Sequence, residues 1–125
     1  MPFSAFLQHV DPDLAGLLSA VADASVKLSD AVRNAPLRNL TGAMNTTNVQ
    51  GEIVQKLDDY SNQVLMDYCK ASVACAGYLS EENEGVTTMN ETGSLVIAVD
   101  PLDGSSNIDI AAPIGTIFAI WKRKS

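Results

Sequence analysis

Five apolar, β-prone residues, Leu95-Val96-Ile97-Ala98-Val99, end abruptly in Asp100-Pro101-Leu102-Asp103-Gly104-Ser105-Ser106-Asn107-Ile108-Asp109. The apolar run reads as a strand with little contact to solvent. The segment after it places two carboxylates three residues apart where that strand ends. Hard cations such as magnesium take oxygen ligands, and carboxylates at a strand end supply them. Glycine lets the backbone approach a ligand closely, and consecutive amide N–H groups cradle a phosphate. A helix opening at Ser105 or Ser106 would add its dipole to that anion site. Metal-ligand and phosphate-donor chemistry thus stand side by side, as metal-assisted hydrolysis of a phosphate ester requires. The alternative is an ordinary turn, since Asp, Gly, Ser and Asn are common loop residues. The ten-residue run is more specific than a turn needs.

A second acidic group has the same setting. Val73 to Leu79 is largely apolar and leads into Ser80-Glu81-Glu82-Asn83-Glu84. Adjacent carboxylates repel each other unless a cation or solvent intervenes. Alone, this segment reads as a solvated acidic loop. Taken with Asp100 and Asp103, the two strand ends are expected to converge on one metal cluster.

The rest of the chain supplies a scaffold. Asp11-Pro12 marks a helix start, with Asp11 as N-cap and Pro12 in the first turn. Leu14, Leu17, Leu18, Val21, Ala24, Leu28 and Val32 recur at helical spacing, which predicts a helix from Pro12 to about Asn34, ended by Pro36. Leu37 to Asn48 reads as a linker. A second helix is predicted over Ile53 to Ser72, with Ile53, Leu57, Tyr60, Val64 and Tyr68 as its stripe and Leu65 beside it. Strands are predicted at Val73–Leu79, Leu95–Val99 and Gly115–Lys122, with Gly85 to Gly93 a polar connector. Helices followed by strands argue a two-layer α+β domain, and 125 residues suit one domain. The segment from Ile114 to Trp121 is apolar, β-prone and free of acid, so an exposed edge there is aggregation-prone, with Lys122, Arg123 and Lys124 as gatekeepers.

The formal net charge of −7 disfavours nucleic acid and anionic membranes as partners. Cys69 and Cys75 lack zinc-site spacing and are expected to be buried free thiols. The N-terminus lacks a basic, apolar leader, and no run is long enough to span a bilayer. A cytoplasmic location is expected.

Glu81-Glu82, then Asp100 to Asp109, then Ile114-Gly-Thr-Ile-Phe118, resemble the class I fructose-1,6-bisphosphatases. The Ser-Ser-Asn-Ile-Asp extension separates this pattern from the shorter form of the inositol monophosphatases in the same superfamily. Ser29 to Arg33, Thr47-Asn-Val49 and Lys56-Leu-Asp58-x-x-Ser61-Asn62 also have counterparts in that family's N-terminal portion. The resemblance implies a two-layer sandwich of N-terminal helices on a largely antiparallel sheet. It implies that residues 1–125 form an N-terminal domain whose C-terminal partner domain lies outside this sequence.

The implied activity is magnesium-dependent hydrolysis of the 1-phosphate of fructose 1,6-bisphosphate, a gluconeogenic reaction, with manganese or zinc as alternative metals. The implied partners are a small-molecule sugar bisphosphate and further copies in a homotetramer. By the same resemblance, Glu81, Glu82, Asp100 and Asp103 are metal ligands, and Leu102 adds its backbone carbonyl. Asp103, Gly104, Ser105 and Ser106 bind the reacting phosphate. Asp58, with Glu82 beside it, positions or deprotonates the attacking water. Glu52 stands where the family usually has Asp, on a mobile loop over the metals. Asp11-Pro12-Asp13 and Ser94-Leu95 replace the residues that hold AMP in regulated members, so AMP inhibition is expected to be weak or absent. The family's remaining metal-binding and 6-phosphate residues lie beyond this sequence, so the 125-residue chain alone is expected to be inactive or nearly so. The competing readings are a phosphatase for inositol phosphate or sedoheptulose bisphosphate, and a non-catalytic truncated assembly module.

Overall fold

A computed structural model describes residues 2–39, 47–105 and 114–124. A short helix α1 (Phe3–Leu7) leads into two long ones, α2 (Pro12–Asn39) and α3 (Thr47–Ala71). Four strands come next: β1 (Cys75–Ser80), β2 (Thr87–Thr88), β3 (Leu95–Asp103) and β4 (Gly115–Lys122). They form one sheet in the order β2-β1-β3-β4. The outer pairings are antiparallel, whereas β1 and β3 run parallel. The α+β class holds, and the sheet is mixed, with two antiparallel pairings and one parallel pairing among the described residues. No helix among the described residues is long and apolar enough to cross a membrane.

The sequence pattern accounts for most of this packing. The Asp11 carbonyl accepts the Ala15 N–H at 2.8 Å, so Asp11 stands at the N-cap position and Pro12 opens α2. Leu17, Val21, Ala24 and Leu28 form the buried stripe of that helix. Along β3, Leu95, Ile97 and Val99 are buried and Val96, Ala98 and Asp100 are half-buried, the alternation a one-sided strand requires. Tyr78 pairs with Ile97, and Ile97 with Ile120, so one face of three strands meets the helices.

Four expectations need correction. α2 continues through Pro36 to Asn39. A proline inside a helix forfeits one backbone hydrogen bond, and here that loss falls near the end of a long, well-buried element. α3 begins at Thr47, six residues before Ile53, so only 40–46 of the expected linker is left, outside the described residues. The buried face of α3 is centred on Ser61, Leu65 and Cys69, and Tyr60 is 40% exposed. The Gly85–Gly93 connector contains β2, whose two residues are too few to leave a periodic signal.

The N-terminal end of the β1–β3 pair is closed. The Asn90 side-chain amide donates to the carbonyls of Lys70, Ser72 and Cys75 at 3.1, 2.9 and 3.1 Å. It thereby covers the C-terminal turn of α3, where helix carbonyls lack partners of their own. Gly93 presses against the β1 backbone, and a Cβ there would lie 2.6 Å from the Ala74 carbonyl oxygen and 2.7 Å from the Ala76 nitrogen. Ser94 Oγ donates to Asp13 Oδ2 at 2.7 Å, joining this end to the first turn of α2. Cys69 and Cys75 are free and fully buried beneath it, as expected. The neighbouring Cys75 thiol and burial together push the Cys69 thiol far up, so it stays neutral.

Candidate active site

Parallel pairing puts the C-terminal ends of β1 and β3 side by side, with Ser80 opposite Val99. The chain leaves β1 into Glu81 and Glu82, while the next residue of β3 is Asp100. β3 then departs from regular pairing, its register with β4 shifting between Asp100 and Asp103. Pro101 is fully buried there and offers no N–H. Its carbonyl accepts the Thr116 hydroxyl at 2.9 Å, which ties the irregular segment to β4. Leu102 is buried and Asp103 exposed, and Gly104, at φ +84°, turns the chain out of the sheet.

α3 brings Asp58 to the same end. Burial raises the Asp58 carboxyl above its ordinary value, the nearby Ser105 hydroxyl opposes that rise, and the charges of Asp100 and Asp59 add to it. Glu82 is raised by burial and then by Asp58, Glu81, Asp59 and Asp100. Asp100 is raised by burial and then by Glu81 and Asp103, with the Leu102 N–H drawing it down. Asp58, Glu81, Glu82, Asp100 and Asp103 therefore share one repulsive field, built from a helix and two strand ends. Asp100 Oδ1 is buried and has no hydrogen-bond partner among the described residues. A buried carboxylate oxygen without a partner is costly.

The chemistry of this set suits a hard divalent cation: every side-chain donor is oxygen, the charges repel, and one oxygen is left unsatisfied. The spacing is open, and no three His, Cys, Asp or Glu side chains among the described residues close around an ion. The structure thus brings Asp58, Glu81, Glu82, Asp100, Leu102, Asp103, Gly104 and Ser105 to one end of the sheet. Ser106 lies outside the described residues. Glu52 is not on a loop. It lies in α3 and is exposed, about 9 Å along the helix from Asp58 and on a different face. The early start of α3 absorbs the segment that the sequence suggested was a loop.

Sequence reading missed the side chains that hold the Glu81–Glu82 turn. Asn83 N–H donates to the Ser80 carbonyl at 3.1 Å, and Glu82 N–H donates to Ser80 Oγ at 3.2 Å. Asn62 Nδ2 on α3 donates to Asn83 Oδ1 at 2.9 Å, and Tyr78 Oη donates to Asn62 Oδ1 at 2.9 Å. The one sequence signal is the Ser61-Asn62 pair one turn after Asp58, which the family resemblance singles out without a role. A cavity of about 570 Å³ lies apart from the carboxylates, between α2 and α3, with Lys27, Ile53, Lys56 and Tyr60 among its lining residues.

The fold is that of a helix-backed mixed sheet carrying a carboxylate cluster at the ends of two parallel strands. Comparison with known proteins places it more closely. A family model described as the fructose-1,6-bisphosphatase N-terminal domain matches residues 4–125, and the chain belongs to this family. It is 43% identical over 113 residues to the class 1 fructose-1,6-bisphosphatase of Shewanella baltica, covering 90% of this chain and 35% of that protein. It is 43% identical over 114 residues to the class 1 enzyme of Shewanella frigidimarina, covering 91% of this chain and 34% of that protein. The crystal structure of Leishmania major fructose-1,6-bisphosphatase in holo form superimposes with a TM-score of 0.76 at 28% identity, covering 94% of this chain and 34% of that one. The chain spans about a third of the length of the curated relatives it matches.

Proposed function

We propose that this chain carries the metal- and phosphate-binding portion of a fructose-1,6-bisphosphatase, which hydrolyses the 1-phosphate of fructose 1,6-bisphosphate. The observation that supports this reading is the convergence of five carboxylates with an unsatisfied Asp100 oxygen, beside the Gly104–Ser105 turn. Glu81, Glu82, Asp100 and Asp103, with the Leu102 carbonyl, hold magnesium, or manganese or zinc in its place. When bound, such a cation neutralises phosphate charge and lowers the pKa of water. The amides of Gly104, Ser105 and Ser106 orient the reacting phosphate. Asp58 orients the attacking water and accepts its proton, and burial together with the charges of Asp100 and Asp59 raises its basicity. The Ser105 hydroxyl lies near enough to Asp58 to draw its carboxyl down, so the phosphate-binding turn and the base are neighbours. The substrate is a sugar bisphosphate, the assembly a homotetramer, and the pathway role gluconeogenic.

The test is phosphate release from fructose 1,6-bisphosphate with magnesium. It compares the 125-residue chain, a chimera in which it replaces the matching third of the Shewanella baltica relative, and an Asp103→Asn version of each. The expected result is release by the chimera, its loss on Asp103→Asn, and little or none from the chain alone. A folded, inactive chimera, or release indifferent to Asp103→Asn, overturns the reading. A panel including inositol phosphate and sedoheptulose bisphosphate then separates the neighbouring substrate classes.

A further inference from the structure

Asn62 is buried on α3, four residues after Asp58 and hence one turn further along the same face. Its carboxamide is used on both sides. Oδ1 accepts the phenol of Tyr78 at 2.9 Å, and Nδ2 donates to Asn83 Oδ1 at 2.9 Å. Tyr78 is fully buried, and burial pushes its hydroxyl up, so it remains a neutral donor. A phenol that donates to Oδ1 fixes the amide with Nδ2 toward Asn83. Asn83 is engaged from other directions too, with Nδ2 reaching Thr87 Oγ1 at 3.4 Å and Met66 Sδ at 3.5 Å.

We propose that Asn62 is a positioning residue, which clamps the Glu81–Glu82 turn to α3 at a fixed offset from Asp58. The proposal rests on the phosphatase reading for what the turn binds, whereas the clamp itself stands on the hydrogen bonds. Asp58 and Glu82 repel each other, so the turn left to itself relaxes away from the helix. Glu82 is held between Ser80, which accepts its N–H, and Asn83, which Asn62 anchors. A neutral amide pair opposes the repulsion without adding a charge that would compete for the cation. An ion pair at this place would neutralise one of the carboxylates.

The test measures Mn2+ affinity of the chain by electron paramagnetic resonance, and hydrogen exchange of the Glu82 and Asn83 amides, in four variants. They are Asn62→Ala, Asn83→Ala, the double variant, and Leu28→Ala, a core truncation in α2 that lowers stability without touching the turn. Asn83→Ala breaks the same bond from the half-buried side, so the question stays answerable if Asn62→Ala fails to fold. The expected result is a loss of Mn2+ affinity of about 10- to 100-fold in each single variant, with no further loss in the double variant. Protection at Glu82 and Asn83 falls while protection at Ile97 and Val99 persists, and Leu28→Ala leaves Mn2+ affinity unchanged. Additive losses, unchanged affinity in Asn62→Ala, or an equal loss in Leu28→Ala overturns the proposal. A wild-type chain that binds no Mn2+ counts against the phosphatase reading instead. Hydrogen exchange then decides the clamp alone, and unaltered protection at Glu82 and Asn83 in Asn62→Ala overturns it.

Discussion

The two ends of the β1–β3 pair are built on opposite rules. At the N-terminal end, polar groups are paired and space is filled: Asn90 covers three carbonyls, Gly93 lies against backbone, and Ser94 meets Asp13. At the C-terminal end, like charges are crowded and a buried oxygen is left without a partner. The same two strands supply both ends, so the difference comes from the residues flanking the strands and not from the strands themselves. One end contributes stability. The other stores electrostatic strain that a cation would relieve, the usual trade between stability and a functional site.

The sharpest way to break this contrast is Gly93→Ala. Its Cβ meets backbone atoms that cannot rotate aside, so stability is expected to drop by about 3 kcal/mol in denaturant titration. Asp100→Asn acts in the opposite sense. It is expected to raise metal-free stability by about 1 kcal/mol while lowering Mn2+ affinity at least about 100-fold, measured by chemical denaturation and calorimetry. If Asp100→Asn destabilises the metal-free chain, the C-terminal end is not strained. Asn90→Ala removes three side-chain hydrogen bonds, two of them part-buried, and is expected to cost about 2 kcal/mol, with Mn2+ affinity untouched.

The pH response stems from three raised carboxyls, Asp58, Glu82 and Asp100. The folded chain holds more protons than the unfolded one across the window just above the ordinary carboxylate range. The relief from repulsion is therefore complete below that range and is lost as pH rises through the raised values. The melting temperature in chelator is expected to fall across that window, and magnesium should flatten the fall. A curve that is the same with and without magnesium refutes the link. The smallest effect is expected from Ser94→Ala, about 0.5 kcal/mol in a thermal melt, because its bond to Asp13 is exposed. AMP is expected to shift the melting temperature of neither form, since the Asp13 carboxylate already faces that end of α2.

The sequence made the carboxylate cluster legible because its chemistry is local. Asp100, Asp103 and Gly104 sit on one strand end, and Glu81 and Glu82 on another. The alternation of Leu95, Ile97 and Val99 and the stripe of α2 were legible for the same reason. The parallel pairing of β1 with β3 was not, because strand direction is set by tertiary packing and leaves no mark on the periodicity of either strand. The bond between Asn62 and Asn83 joins residues 21 positions apart, and two asparagines at that distance carry no pattern. Glu52 was misplaced because the resemblance implied a loop there, whereas α3 begins at Thr47 through Thr, Asn, Val and Gly, residues of weak helix propensity that give no local signal of a helix.

Parallel pairing has a kinetic consequence. A hairpin forms from neighbouring residues within microseconds, but parallel strands meet only after the chain has crossed back between them. Glu82 and Asp100 lie on either side of such a crossing, and Asp58 comes from a helix that precedes both in the chain. A cation met early in folding finds these carboxylates scattered and has nothing to grip. It cannot seed this fold. It can only slow the opening of one already made, so added magnesium should lengthen the unfolding time and leave the refolding rate alone.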